Sequence, residues 1–278
     1  MILTGKARIA GVIGWPVGHS RSPRLHGYWL EYHGIDGAYI PLAVKPNEFA
    51  AAVAGLAAAG LRGVNVTLPH KAAALAACDK VDDNARRIGA VNTIVFGDDG
   101  TMRGFNTDAF GFLENIAQSA AWRAGGSAVI LGAGGAARAV CVALADAGMD
   151  EIHIVNRTAA RAERLVADLG GPLKALVWEQ RHDALAGVAL LVNTTSLGMT
   201  GQPPLDLDLS ALPETAVVND IVYAPLETDL RARARARGNR VVDGLGMLLH
   251  QARPGFEAWF GVAPAVTGEL REFMLADR

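Results

Sequence analysis

Charge, cysteine and long apolar runs are all scarce in this chain of 278 residues, and each scarcity excludes a class of function. Only 19% of the residues are charged and the formal net charge is −2, so nothing favours binding to nucleic acid or to an anionic membrane. The two cysteines, Cys78 and Cys141, lie far apart in alanine-rich stretches, which predicts small buried residues rather than a disulfide or a nucleophile. No His, Cys or carboxylate cluster has the spacing of metal ligands, so we expect no metal.

The N-terminus begins Met-Ile-Leu-Thr-Gly-Lys and has neither a long apolar segment nor a cleavage pattern. We therefore expect a cytoplasmic protein that is not inserted into a membrane. Hydrophobic residues nevertheless make up 51% of the chain, which is enough to form the cores of two domains of ordinary size. The composition predicts a globular protein of the size of an enzyme, in which any anion-binding site is local.

A glycine-rich stretch is the most informative motif. An apolar run over residues 129–131 leads into Gly132-Ala133-Gly134-Gly135-Ala136-Ala137. This G-x-G-x-x-A spacing is typical of a strand, a tight turn and a helix that together bind the pyrophosphate of a dinucleotide. Small residues are needed because the turn is sharp and the phosphates approach the backbone N–H groups of the helix. A helical pattern up to residue 148 and a strand over 151–155 complete a β-α-β unit.

The residues after this second strand indicate which dinucleotide binds. An NAD site usually has Asp or Glu about 20 residues beyond the glycines, whereas this chain has Asn156-Arg157-Thr158. Arg157 and Arg161 offer guanidinium donors to a 2′-phosphate, which predicts NADP as the cofactor. The alternative is that Asn156 and Thr158 cap the next helix and that both arginines are solvated.

Strand and helix patterns alternate along the chain and predict an α/β fold. In the first third we expect strands over 7–13, 38–44 and 64–68, helices over 22–33, 46–59 and 70–78, and a hairpin over 92–105 with its turn at 98–100. Further on we expect a connecting helix over 107–122 and strands over 188–192, 216–221 and 240–242, which extend a doubly wound parallel sheet of the Rossmann type. The Arg-Ala segment over 229–237 is expected to be a helix with a solvated face.

Two domains follow from these patterns. The first is an α/β domain over residues 1–107, completed by C-terminal helices over 246–278 that return to it. The second, over residues 108–245, holds the connecting helix and the dinucleotide fingerprint. The sequence does not decide between a monomer and a homodimer.

Polar residues cluster at the strand ends of the first domain. His19-Ser20-Arg21-Ser22-Pro23 opens a helix and offers two hydroxyls to a carboxylate. Asn65-Val66-Thr67 ends a strand shortly before Lys71, and Asn-Thr pairs at 92–93 and 106–107 flank the hairpin, the second followed by Asp108. Each cluster on its own is also what a cap or a turn requires.

Taken in order, these motifs closely resemble those of the shikimate dehydrogenase family over nearly the whole chain. The matching segments are His19-Ser20-x-Ser22-Pro23, Asn65-Val66-Thr67-x-Pro69-x-Lys71, Gly89-Ala90-Val91-Asn92-Thr93, Gly104-x-Asn106-Thr107-Asp108, Gly132-Ala133-Gly134-Gly135-Ala136, Asn156-Arg157-Thr158 and Asp243-Gly244-x-Gly246-Met247. The resemblance implies reduction of 3-dehydroshikimate to shikimate with NADPH, in the route to chorismate and the aromatic amino acids. One departure is His26-Gly27, where the family commonly has His-Asn, and we expect its consequence to be structural rather than catalytic.

The resemblance also implies roles for individual residues. Lys71 and Asp108 match the catalytic pair. The substrate carboxylate would be held by Ser20 and Ser22, and the ring oxygens by Thr67, Asn92, Asp108, Tyr223 and Gln251. The cofactor would be held by Gly132, Ala133, Gly134, Gly135, Ala136, Asn156, Arg157, Thr158, Arg161, Ile221, Gly244 and Asp83, with Ile221 and Gly244 near the nicotinamide. The first domain would thus bind the substrate and the second would bind NADP.

The chemistry supports a role for the lysine independently of the resemblance. A ketone that accepts hydride develops negative charge on oxygen, so the site needs a proton donor and an electrostatic stabiliser. Lys71 supplies both, and Asp108 would keep its ammonium group charged and oriented. The histidines are expected to be structural or loop residues, namely His19, His26, His70 and His250.

Two alternative functions stay open from the sequence. Within the same superfamily, the chain could be a quinate or aminoshikimate dehydrogenase. From another class, it could be a nucleotide-binding sensor that has lost turnover, although the intact Lys71 and Asp108 argue against this.

Overall fold

The computed structural model describes residues 2–120 and 122–276, which form two compact units. The first unit combines the described residues up to Thr107 with those from Leu249 onward, and the second spans Asp108–Leu248. The chain therefore passes from one unit to the other twice. No helix in the described part of the chain is both long enough and apolar enough to cross a membrane.

The first unit is built on a six-stranded mixed sheet. Its elements up to Thr107 are β1 (Arg8–Gly14), α1 (Ser22–Tyr32), β2 (Gly37–Ala43), α2 (Phe49–Ala58), β3 (Gly63–Val66), α3 (Lys71–Ala77), β4 (Lys80–Val81), α4 (Asp83–Ile88), β5 (Thr93–Phe96) and β6 (Met102–Phe105). The strand order is β2-β1-β3-β5-β6-β4. β1 is parallel to β2 and β3, whereas β5 is antiparallel to β3 and β6.

The register of this sheet brings its polar strand ends together. Asn65, near the end of β3, pairs with Thr93 at the start of β5, and Thr93 also pairs with Phe105 at the end of β6. Ile13, near the end of β1, pairs with Val66. The C-terminal ends of β1, β3 and β6 and the N-terminal end of β5 therefore meet at one edge of the sheet, which we call the polar edge.

The second unit is a doubly wound, fully parallel sheet. Its elements are α5 (Asp108–Ala120), β7 (Ser127–Leu131), α6 (Gly135–Asp146), β8 (Glu151–Asn156), α7 (Ala159–Leu169), β9 (Leu173–Val177), β10 (Leu190–Asn193), β11 (Val217–Asp220), α8 (Asp229–Ala236), β12 (Arg240–Val242) and the start of α9 (Gly244–Phe260). The strand order is β12-β11-β10-β7-β8-β9. The order reverses between β7 and β10, and ligands of such sheets bind at this switch point.

The C-terminal helices belong mostly to the first unit. α9 runs past Leu248 into that unit and is followed by α10 (Gly268–Leu275). Trp259 of α9 donates a hydrogen bond from its indole N–H to the carbonyl of Ile94, at 3.0 Å. Its ring and that of Phe256 pack against Tyr39 and Trp29, so an aromatic core covers this face of the sheet.

Several elements differ from the sequence expectation. The sequence pattern does not predict β4, α4 or β9, because these elements are short or have only a weak alternation of apolar and polar residues. The expected helix over 107–122 is present as α5, which ends at Ala120, and Ala121 lies outside the described residues. The fold class, an α/β protein with a Rossmann sheet, is as predicted.

The expectation of a solvated arginine face on α8 is wrong for Arg231. Its side chain is 6% exposed, donates to the carbonyl of Leu226, and lies 3.7 Å and 3.9 Å from the carboxylates of Glu227 and Asp243. Alternation of Arg and Ala has a period of two, whereas a helix has a period of 3.6. One arginine must therefore share the inward face with Leu230, and two carboxylates offset the cost of burying its charge.

Candidate functional site

The two predicted carboxylate ligands lie at the start of α1, just after β1. Ser22 is the first residue of the helix, and its backbone N–H donates to Oγ of Ser20 at 3.3 Å. The N–H of Ser20 in turn donates to the carbonyl of Val17, at 2.9 Å. The helix N-cap is Arg21, whose side chain makes no capping hydrogen bond. Two hydroxyls and the N-terminal amides of α1 are thus grouped in one turn, as anion binding requires.

Thr67 and Lys71 occupy the loop from β3 to α3. The N–H of Thr67 donates to the carbonyl of Ile13 at 2.9 Å, which joins this loop to the end of β1. A Cβ atom on Gly14 would lie 2.6 Å from Cγ2 of Thr67, so only glycine allows this approach. Lys71 is half-buried at the start of α3, and its carbonyl accepts a hydrogen bond from Val91 at 3.0 Å.

Asn92 lies between the loop that carries Lys71 and the end of the hairpin. Its Oδ1 accepts a hydrogen bond from the N–H of Thr107 at 2.9 Å, and its Nδ2 donates to Oγ1 of Thr107 at 3.0 Å. Asp108 directly follows Thr107, begins α5 and is 7% exposed. The polar edge of the first unit thus carries both Lys71 and Asn92, and Asn92 fixes Thr107, the residue that precedes Asp108.

The histidines near this edge have structural partners rather than ligand geometry. Nε2 of His70 lies 2.8 Å from the carbonyl of Val44, and its ring stacks on Phe49. His26 is fully buried and stacks on Tyr39. Across the described residues, no group of three or more His, Cys, Asp or Glu side chains is arranged to hold a metal ion.

The fingerprint forms the predicted turn between β7 and α6. Gly132 has a φ of +107°, and a Cβ atom there would lie 2.7 Å from Oγ1 of Thr194, so this position requires glycine. Gly134 and Gly135 differ, because no protein atom lies within 4 Å of a Cβ atom placed on either. Gly134 is the N-cap of α6, without a side-chain cap. The open space faces uncapped helix amides, which fits a pyrophosphate.

The next strand end presents the predicted phosphate ligands. Nδ2 of Asn156 donates to the carbonyl of Thr158 at 2.9 Å. Thr158 is the N-cap of α7, but its hydroxyl makes no capping hydrogen bond. Thr158 therefore does not make the side-chain hydrogen bond that the alternative, a role as helix cap, requires. Arg157 and Arg161 are both exposed, as donors to a bound phosphate must be before binding.

The residues predicted near the nicotinamide are in contact with each other. A Cβ atom on Gly244 would lie only 2.0 Å from the carbonyl oxygen of Ile221, so glycine lets the start of α9 approach the loop after β11. Asp220 shapes this loop by accepting hydrogen bonds from the N–H of Val222 at 3.1 Å and from the hydroxyl of Thr228 at 2.7 Å. Burial raises the pKa of Asp220. Tyr223 follows in the same loop.

Sequence reasoning did not single out the loop after β10, although it lies at the switch point. Oγ1 of Thr194 donates to the carbonyl of Leu131 at 2.6 Å, which places this loop beside the fingerprint. Oδ1 of Asn193 accepts from both the N–H and the hydroxyl of Thr195, at 3.1 Å and 2.7 Å. The polar run that follows a buried strand was the available signal.

The predicted residues are divided between the two units. The first unit holds the substrate residues Ser20, Ser22, Thr67, Asn92 and Gln251 together with Lys71, and the second holds Asp108 and Tyr223. All predicted cofactor residues lie in the second unit except Asp83, which is exposed at the start of α4 in the first.

The second unit has a parallel sheet with an open glycine turn at its switch point, and the first unit has a polar edge. These features are those of a dinucleotide-binding enzyme. Family models agree: the shikimate dehydrogenase substrate binding domain matches residues 12–94, and the shikimate/quinate 5-dehydrogenase model matches residues 115–198. The chain is 62% identical over 276 residues to shikimate dehydrogenase (NADP(+)) of Paramagnetospirillum magneticum, covering 99% of this chain and all of that protein. It is 63% identical to the enzyme of that name from Rhodospirillum rubrum, over 99% of each chain. The chain belongs to the shikimate dehydrogenase family, as the motifs predicted.

Solved structures agree in fold and differ in substrate. Shikimate 5-dehydrogenase from Thermus thermophilus, in complex with NADP(H) and shikimate, is 38% identical with a TM-score of 0.86, over 97% of this chain and 99% of that one. The 5-ketofructose reductase of Gluconobacter is 34% identical with a TM-score of 0.89, over 98% and 99%. Quinate dehydrogenase from Corynebacterium glutamicum, in complex with NAD, is 30% identical with a TM-score of 0.90, over 97% and 99%.

Proposed function

We propose that this chain catalyses the reversible reduction of 3-dehydroshikimate to shikimate with NADPH, a step in the formation of chorismate and the aromatic amino acids. The observation that carries the proposal is the polar edge, where two serine hydroxyls, a threonine, an asparagine and a lysine lie on loops of one sheet. Full-length identity of 62% and 63% to two enzymes named shikimate dehydrogenase (NADP(+)) supports it.

The first unit is proposed to bind the substrate. Ser20 and Ser22, with the N-terminal amides of α1, would hold the carboxylate, because this turn concentrates donors at the positive end of a helix dipole. The ring oxygens would contact hydroxyl, amide and carboxylate side chains, namely Thr67, Asn92, Asp108, Tyr223 and Gln251.

The second unit is proposed to bind the cofactor, with the glycine turn over 132–136 at the pyrophosphate. Arg157 and Arg161, with Asn156 and Thr158, would hold the 2′-phosphate by charge-assisted hydrogen bonds. Ile221 and Gly244 would border the nicotinamide, and Asp83 is proposed as a more distant contact. When bound, NADPH supplies the hydride.

Lys71 is proposed to be the general acid. Its ammonium group would donate a proton to the carbonyl oxygen as negative charge develops there, and would stabilise that charge before transfer. Asp108 would keep the ammonium charged and direct it towards the oxygen. In the reverse direction the neutral amine of Lys71 would accept the proton of the shikimate hydroxyl, and Asp108 would stabilise the ammonium that forms.

The proposal is tested with the substrates that are named for the structurally similar enzymes. We would measure kcat/KM for shikimate and quinate with NADP and NAD, and for the reduction of 3-dehydroshikimate and 5-ketofructose with NADPH. The highest value is expected for the shikimate pair with NADP, and little activity with 5-ketofructose, which has no carboxylate for the serines. Preferential turnover of quinate with NAD, or NADPH binding without turnover of any of the four, would contradict the proposal and favour a quinate enzyme or a sensor.

A further inference from the structure

A buried series of hydrogen bonds runs beneath the polar edge and includes three residues to which the proposed function assigns no role, Tyr39, Asn65 and Thr93. The hydroxyl of Tyr39, on β2, donates to Oδ1 of Asn65 at 2.6 Å. Nδ2 of Asn65 donates to Oγ1 of Thr93 at 3.0 Å and to the carbonyl of Asn92 at 3.2 Å. The hydroxyl of Thr93 donates to Oδ1 of Asn92 at 2.9 Å. Asn92 is joined to Thr107, as described above.

The other end of this series of hydrogen bonds lies close to Ser22, at the start of α1. The Ser22 side chain lies near the Tyr39 hydroxyl, where it opposes the rise in the pKa of Tyr39 that burial causes. Tyr39 therefore lies between a proposed carboxylate ligand and a set of hydrogen-bonded side chains that ends at a proposed ring-oxygen ligand, Asn92. All the members are between 2% and 7% exposed, so water does not compete for these hydrogen bonds and an unmade one leaves a buried polar atom unsatisfied.

The hydrogen bonds of this buried series fix which atom of each asparagine amide donates and which accepts. Asn65 uses its amide nitrogen for Thr93 and the Asn92 carbonyl, which leaves Oδ1 as the acceptor for Tyr39. Oδ1 of Asn92 accepts from the Thr93 hydroxyl and the Thr107 N–H, so a flipped Asn92 amide would place its NH₂ group against the N–H of Thr107. Thr93 and Thr107 therefore set the orientation of the Asn92 side chain, and hence the direction in which it presents its donor and its acceptor.

The groups around Tyr39 stay neutral over the working pH range. His26 stacks on the Tyr39 ring with centroids 3.9 Å apart and planes 1° from parallel. Burial lowers the pKa of His26 to about 3 and raises the pKa of Tyr39 well above its usual value. Trp259 packs on the same tyrosine ring at 6.0 Å. The hydrogen-bond chain therefore contains no group that ionises near neutrality.

We propose that Tyr39 and Thr93 are positioning residues that act through Ser22 and Asn92 to fix the spacing between the carboxylate site and the ring-oxygen site. This inference rests on the proposed function for the identity of the substrate. Neither residue needs to touch the substrate. Their hydroxyls hold two of its ligands in register, and small misplacements of binding groups are costly to catalysis.

The test uses variants that remove one oxygen each from the full-length protein. Tyr39→Phe keeps the ring packed on His26, and Thr93→Val keeps the shape of the side chain. Thr93→Ser restores the hydroxyl, and Tyr28→Phe is a matched control, because Tyr28 packs on Tyr32 and Phe273 in the same unit, outside the hydrogen-bond chain.

We expect Tyr39→Phe and Thr93→Val each to lower kcat/KM for shikimate by about 10-fold. Most of this loss should be in KM, because Ser22 and Asn92 bind the ground state and the transition state alike. The loss of kcat/KM should have the same size from about pH 6 to pH 9, since no side chain of the hydrogen-bonded series titrates in that range. Thr93→Ser should recover most of the activity, and Tyr28→Phe should match the wild type. The Kd for NADPH should not change in any variant.

A second readout separates failure of this inference from failure of the proposed function. In NMR spectra of the wild type, the side-chain NH₂ of Asn92 should exchange slowly with solvent, and Thr93→Val should speed that exchange at least about 10-fold while Thr93→Ser does not. If the wild type does not turn over shikimate, the proposed function fails and the exchange data alone decide the role of the hydrogen-bond chain. Wild-type kcat/KM in both Tyr39→Phe and Thr93→Val, or unchanged Asn92 exchange in Thr93→Val, would overturn the inference.

Discussion

Two glycines of the fingerprint, two positions apart, should respond oppositely to the same added methyl group. Gly132 has a φ of +107° and its Cβ position lies 2.7 Å from Oγ1 of Thr194, whereas Gly134 has a φ of −92° and its Cβ position is open. Gly132→Ala should therefore damage folding. Gly134→Ala should leave folding intact and damage the binding of the cofactor, because its methyl group would occupy the space proposed for the pyrophosphate.

The magnitudes follow from the local geometry. An alanine held at positive φ costs about 1–3 kcal/mol, and a contact of 2.7 Å in a packed site costs roughly 1–3 kcal/mol more. Gly132→Ala should thus lower the free energy of unfolding by about 2–6 kcal/mol. Gly134→Ala changes an exposed N-cap with ordinary dihedral angles, so its effect on stability should stay below about 1 kcal/mol. Its Kd for NADPH should rise at least about 10-fold, which corresponds to about 1.4 kcal/mol.

The assay combines urea unfolding without ligand and titration of NADPH followed by fluorescence. Each variant is the control for the other, since both add one methyl group to the same turn. A Gly134→Ala protein that binds NADPH as tightly as the wild type would refute the placement of the pyrophosphate. A Gly132→Ala protein of wild-type stability would refute the packing argument.

Three further predictions test other parts of the account. Arg157→Ala should weaken NADPH binding about 10- to 100-fold and NADH binding little, because a charge-assisted hydrogen bond is worth about 1.5–3 kcal/mol. Arg164→Ala, which removes an exposed arginine of α7, is the control, and equal losses for both cofactors would contradict the assignment. The folded-state pKa of His26 is about 3, whereas the pKa of this residue in the unfolded chain is about 6.5. As the pH falls below the unfolded value, the unfolded chain therefore binds a proton that the folded chain does not. The wild type should thus lose about 2 kcal/mol of unfolding free energy between about pH 7 and pH 5, and His26→Phe should not. Equal pH dependence of urea unfolding in the two proteins would show that the buried ring is not kept neutral. Gly27 is exposed inside α1 with open space at its Cβ position, so Gly27→Ala should stabilise the protein by about 1 kcal/mol and leave the KM for shikimate unchanged. Gly55→Ala on α2 is its matched control, and a changed KM in Gly27→Ala alone would give this position a role in the carboxylate site.

The parts of the fold that the sequence predicted are those with a strong local pattern. The fingerprint turn follows from the apolar run before Gly132 and the small residues after it, and β12 was predicted with its observed bounds, Arg240–Val242. β4 has only two residues, Lys80–Val81, and takes its conformation from pairing with β6, which no local pattern reveals.

The candidate site divides in the same way. Residues within continuous motifs, such as Ser20 and Ser22, were predicted because two hydroxyls in one helix turn have a local chemical meaning. The link from Tyr39 through Asn65 to Thr93 depends on the register of four neighbouring strands, β2, β1, β3 and β5, and register is set by the whole sheet. The burial of Arg231 was likewise missed, because it depends on which face of α8 packs inward and on the position of Asp243, which follows β12.

The central claim, that Lys71 donates the proton to the substrate carbonyl, is tested most directly by single-turnover reduction of 3-dehydroshikimate in Lys71→Ala at saturating NADPH. General acid catalysis is worth about 10²- to 10⁴-fold, and the variant also removes a positive charge, so we expect a loss near or beyond the upper end of that range. The Kd for NADPH should be unchanged, and Lys80→Ala, which removes an exposed lysine of the same unit, should behave as the wild type. Hydride transfer in Lys71→Ala at close to the wild-type rate would contradict the account, because the proton would then have to come from water or another side chain.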